Sequence, residues 1–159
     1  MAYYAVLKAV HVLAIVLWLG GMFFAHFCLR PAALTLPPPQ RVPLMAAALG
    51  RFFQAVAVAI VLILATGGWM MWRVVATTKA TGLPFNMPLE WHVMTGLGLV
   101  MVALFGHIRF ALYRRLQRAV AAGDWPAGGT ALAKIRLWVA INLTLGAVIV
   151  VVMMMGSAT

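Results

Sequence analysis

Residues 6–29 read VLKAVHVLAIVLWLGGMFFAHFCL, a run broken by one charge, Lys8, and two imidazoles, His11 and His26. A hydrocarbon core about 30 Å thick is crossed by about 20 apolar residues in helical form, so this stretch predicts a transmembrane helix. Three further runs of the same kind follow at 52–72, 91–112 and 137–156. Breakers separate them: Pro31 and Pro37, Pro38 and Pro39, then Gly82, Pro84 and Pro88, then Gly123, Pro126, Gly128 and Gly129. No soluble domain fits between the runs. The expected architecture is all-α: an integral membrane antiparallel four-helix bundle forming a single transmembrane domain over residues 1–159.

Composition points the same way. Hydrophobic residues make up 65% of the chain and charged residues 9%, against about 45–50% and about 25% in soluble proteins. A water-soluble globule of this size exposes too much of its surface to hide that much apolar material. Twelve Lys and Arg face two acids, Glu90 and Asp124, for a net charge of +10. These bases lie between apolar runs and form no stripe, which argues against a nucleic-acid partner and for a lipid bilayer. Two acids so far apart also argue against paired-carboxylate hydrolysis. The single cysteine, Cys28, leaves no internal disulfide and no cysteine-rich metal site. Lys8 inside the first run, with no small-residue cleavage site after it, predicts a retained helix and not a signal peptide.

The bases also predict orientation. Arg30, Arg41 and Arg51 flank the first connection, and Arg109, Arg114, Arg115, Arg118, Lys134 and Arg136 the third. The opposite side carries Lys8, Arg73 and Lys79. Positively charged connections stay in the cytoplasm, so both termini are expected on the periplasmic side of a bacterial inner membrane. Tyr3, Tyr4, Trp72 and Trp91 then fall in an outer aromatic belt.

The four histidines fall in the first and third spans: His11 and His26, then His92 and His107, each pair separated by fifteen residues. In an up-down-up-down bundle these spans run parallel. His11 would then share a level with His92, and His26 with His107, about 22 Å further along. Imidazoles in hydrocarbon are costly and usually functional. Facing pairs are what two stacked b-type haems require as axial ligands of the iron. Glycines at 20, 21, 67, 68, 96, 98 and 106 would let a flat macrocycle approach the backbone. Arg30, Arg51 and Arg109 near the inner pair, and Lys8 and Arg73 near the outer one, are candidates to hold propionates. The plainer alternative is that the histidines hydrogen-bond between helices and the glycines are packing contacts.

Eleven methionines include Met70-Met71 and Met153-Met154-Met155. Thioethers, Cys28 and imidazole suit Cu(I), although consecutive helical residues point about 100° apart and cannot all reach one ion. Glu90 beside Trp91 and His92 reads either as a proton relay or as a solvated acid. Asp124-Trp125-Pro126 reads as a turn. Gln54 and Asn142 are candidates for bonds to a neighbouring helix, and Lys134 and Arg136 for headgroup anchors.

Several of these motifs resemble a known family. Lys8-Ala9-Val10-His11-Val12, Trp18, Gly20-Gly21 and Leu29-Arg30-Pro31 resemble the opening of the copper-resistance D (CopD-like) membrane family. Arg51-Phe52 with Ala65-Thr66-Gly67-Gly68 is similar to its second segment, and Lys134-Ile135-Arg136 with Asn142 and Leu145-Gly146 to its closing one. Trp91-His92 and His107 also resemble the HemJ type of protoporphyrinogen oxidase, a haem b protein, whose likeness would make His11 the carried-over ligand. This chain departs from that type at Met94 and Thr95, and no Glu follows Asn142. The first resemblance implies copper uptake or resistance.

The function expected from the residues is transmembrane electron transfer by a b-type haem protein, a di-haem cytochrome b. Such a protein works with quinone or a periplasmic redox partner, or as an oxidoreductase linked to quinone, superoxide or porphyrin. The alternatives are a CopD-like copper transport or resistance protein, with copper in place of haem, and a HemJ-like oxidase. A homo-oligomer is compatible with all three.

Overall fold

The computed structural model describes residues 2–82, 84 and 86–156. Among these all regular structure is helical, with no strand. Helix α1 (Ala2–Phe24) runs through a π-turn (Ala25–Leu29) into the short α2 (Arg30–Ala33). Helix α3 spans Pro38–Ala80, and α4 (Leu89–His107) runs through a second π-turn (Ile108–Leu112) into α5 (Tyr113–Ala121). Helix α6 spans Trp125–Gly156. The four continuous rods, from 3–33, 38–80, 89–121 and 125–156, are each long and apolar enough to cross a membrane.

The rods are longer than the apolar runs because several expected breakers do not break. Pro31 follows a turn in which the Arg30 N–H reaches the Ala25 carbonyl, a π-type bond. That wider turn precedes the ring and the rod continues. Pro126 sits in the first turn of α6, where a missing N–H costs nothing, and Asp124 Oδ1 accepts the Ala127 N–H at 2.9 Å as a helix cap. Gly128 and Gly129 are therefore helical. The effective stops are Gly82 and Gly123, whose φ values of 72° and 66° suit a residue without a side chain.

The forty-three residues of α3 reach about 65 Å, about twice the bilayer core. The helix extends past its apolar run at both ends, further at the arginine-rich one. There Val42, Met45, Ala46 and Leu49 are buried with Tyr113, Leu116, Ala131 and Ile135 of α5 and α6. The Tyr113 hydroxyl donates to the Ala46 carbonyl at 3.0 Å. Further in, edge-on aromatic contacts tie the rods together. Phe53 of α3 meets Phe105 of α4 at 6.0 Å and Tyr113 at 5.3 Å, and Phe105 meets Trp18 of α1 at 6.2 Å between ring centroids.

The opposite end is open. Outward of Ala14, Thr66, Met101 and Gly146, the described side chains of all four rods are half-buried or exposed. Helix α1 packs chiefly on α3, and α4 chiefly on α6.

Candidate functional site

The open end contains the best-prepared imidazole. Helix α1 sets His11 against Thr66 of α3, where Nδ1 lies 2.9 Å from Oγ1. The Thr66 hydroxyl has one proton, and it goes to the Leu62 carbonyl at 2.5 Å, four residues back in its own helix. The hydroxyl therefore accepts from His11, which fixes the proton on Nδ1 and leaves the lone pair on Nε2. Gly67 completes the seat: a Cβ there would come within 3.0 Å of His11 Cε1. Thr66 is buried, so the pair is held in a fixed register.

His92 shows the same polarity by a different route. Its Nδ1 lies 3.1 Å from the Pro88 carbonyl, an oxygen that can only accept, so here too Nδ1 carries the proton and Nε2 the lone pair. The side chain is exposed at the start of α4. Met70, four residues beyond Thr66, lies one turn further out on the same face of α3. Gly68, Gly96 and Gly98 face open space, where a Cβ would meet no neighbouring atom within 4 Å.

The other two histidines are placed differently. His26 lies in the first π-turn and lines a pocket with Arg30, Arg41 and Arg136. His107 is exposed, lies outside that lining, and sets its ring 5.3 Å from Trp138 of α6. The sequence spacing treats the four histidines as two equivalent pairs, whereas the structure separates them by environment. Of the expected propionate partners, Lys8 and Arg73 are exposed near the open end and Arg51 is exposed on α3. Arg109 lies over the Tyr113 ring at 5.1 Å.

Other candidates have structural places. Asn142 is buried and its Nδ2 donates to the Met101 carbonyl at 3.4 Å, an interhelical bond as expected. Gln54 and Cys28 are exposed. Glu90 packs against Gly156, where a Cβ would come within 2.9 Å of it. Among the described residues no group of three or more His, Cys, Asp or Glu converges to hold an ion. A metal here would rest on one or two imidazoles supplemented by thioether, or bring donors of its own. Sequence reasoning missed the roles of Thr66 and Gly67. Their signal was a lone hydroxyl followed by glycine in an otherwise apolar run.

Fold and site together define a four-span, all-helical membrane protein with prepared imidazoles at one end and arginines at the other. The chain belongs to the copper resistance protein D (CopD) family, which matches it over residues 46–155. The matched segment includes Thr66, Gly67, His92 and His107, while His11 precedes it. No curated protein and no solved structure matches the chain.

Proposed function

We propose that this CopD-family chain serves copper resistance by capturing copper, as Cu(I), at the open end of the bundle. His11 Nε2 and His92 Nε2 are the imidazole donors, and Met70 is the nearest thioether by helical register. The observation that carries this reading is the His11–Thr66 bond of 2.9 Å. A ligand whose other nitrogen is tied down is held in the tautomer and direction a metal needs. Imidazole with thioether matches the softness of Cu(I). The excess of Lys and Arg at the other end supports an orientation with the open end and both termini on the periplasmic face of a bacterial inner membrane.

A second reading, a b-type haem at the same place, is favoured by the glycines. Gly68, Gly96 and Gly98 leave side-chain-free faces beside an open end, and a porphyrin supplies four of its own donors to an iron that needs one or two imidazoles. When bound, haem would supply one-electron transfer. In that case His11 would hold the iron, and Lys8 and Arg73 would be the basic residues available to its carboxylates.

One preparation separates the two. The detergent-purified chain is titrated with Cu(I) against a chromogenic chelator, and its visible spectrum is recorded after dithionite reduction. Copper capture predicts a colourless protein that competes for Cu(I) and loses that ability in His11→Ala. A reduced α band of low-spin haem b, absent in His11→Ala, replaces the copper reading with the second. Neither signal in the wild-type chain refutes both.

A further inference from the structure

The two carboxylates of the chain are engaged away from the arginines that gather near His26. Asp124 caps α6 through the Ala127 N–H, and Glu90 lies at the opposite end of the molecule against Gly156. Yet Arg30 from α2, Arg41 from α3 and Arg136 from α6 line one pocket of about 170 Å³. Three arginines contributed to one lining by three elements carry like charge and gain from an anion there. The same lining includes His26, whose Nδ1 is buried and has no hydrogen-bond partner in the structure. A buried ring nitrogen without a partner is rare and calls for one. The remaining wall is apolar, from residues such as Met45, Leu49, Leu132 and Val139.

We propose that this pocket binds a phosphate group. Arg30, Arg41 and Arg136 would grip its oxygens, a turn of the His26 ring on binding would bring its Nδ1–H to them, and the apolar wall would take whatever chain the phosphate carries. The π-turn at Ala25–Leu29 contributes by adding a residue to the turn that bears His26, a distortion frequent at ligand sites. Two carriers share this chemistry: an anionic lipid headgroup entering from the bilayer, and a soluble phosphate ester from the aqueous phase. The site is independent of the open end and does not rest on its metal chemistry.

Native mass spectrometry of the detergent-purified full chain tests it, with phosphatidylglycerol, diacylglycerol and glycerol phosphate as probes. Retention of phosphatidylglycerol but not diacylglycerol identifies a lipid phosphate, and retention of glycerol phosphate alone identifies a soluble ester. In either case binding should weaken about tenfold for each of R30Q, R41Q and R136Q. The triple variant R114Q/R115Q/R118Q, at exposed positions outside the lining, removes three charges where each single variant removes one, and should still leave binding within twofold. Diacylglycerol binding as well as phosphatidylglycerol overturns the proposal. So does equal weakening in the exposed triple variant, undiminished binding in all three single variants, or binding of none of the probes. Melting in detergent without added ligand shows that each single variant is folded before it is read.

Discussion

Replacing Thr66 by Val keeps the shape of the side chain and removes its hydroxyl, which makes it the sharpest probe of the His11 site. In the wild-type chain that hydroxyl accepts the His11 Nδ1–H at 2.9 Å. Without it the imidazole loses its fixed tautomer and can rotate away from the direction in which Nε2 now points. Losing the partner that orients a metal-bound histidine typically costs about 10- to 100-fold in affinity, equivalent to about 1.4–2.7 kcal/mol. The fold should notice less, since an interhelical hydrogen bond within a membrane contributes on average about 0.6 kcal/mol. The assay is Cu(I) competition on the detergent-purified chain, with thermal melting alongside; if the protein carries haem, the reduced spectrum replaces copper affinity. Thr66→Ser keeps the hydroxyl and should bind within a few-fold of wild type. Wild-type affinity in Thr66→Val together with a loss in His11→Ala would refute the orientation argument. A drop in melting temperature as large as that of a core-cavity variant would show that Thr66 is mainly structural.

Other outcomes follow from particular contacts. Gly67→Ala puts a Cβ 3.0 Å from His11 Cε1, so it should lower metal affinity about as much as Thr66→Val, with the same titration as readout. Gly128→Ala brings a Cβ within 2.6 Å of Val42 Cγ1 and should destabilise by about 1–3 kcal/mol; partial recovery in Gly128→Ala/Val42→Ala, measured by melting, checks the cause. Tyr113→Phe removes the bond to the Ala46 carbonyl and should cost about 0.5–1.5 kcal/mol, read from the same melts. Alkaline phosphatase fused after Gly82 should be active and fused after Gly123 inactive; the reverse pattern would invert the proposed orientation.

The number and class of the helices were legible because they depend on local chemistry. A run such as residues 6–29 is apolar whatever packs against it, and hydrocarbon demands that its backbone bonds close internally. The helix ends were less legible. Pro31 and Pro126 look like stops in a string of letters, but one follows a π-turn and the other occupies a first turn. Gly82 and Gly123 end helices with a positive φ that glycine permits without steric cost. Gly128 and Gly129 permit it equally and stay helical, so the residue type alone does not locate the stop. The Asn142 contact with α4 was also foreseeable, since a strongly polar side chain in an apolar helix seeks a neighbour.

The candidate site divides along the same line. The order of the residues already shows that four imidazoles lie in two apolar helices at equal spacing, and that bases crowd two of the three connections. It placed copper chemistry within reach through its methionines and its resemblance to the CopD family. It treated His11, His26, His92 and His107 alike, because spacing along a helix carries no information about the neighbouring helix. Only the tertiary structure made them different. It set His11 Nδ1 on the hydroxyl of a residue fifty-five positions away and left His26 Nδ1 buried without a partner. It gathered Arg30, Arg41 and Arg136 from three elements into one pocket. Hydropathy is a property each residue carries into any fold, whereas a tautomer, an orphaned nitrogen and a shared pocket lining exist only once distant segments meet.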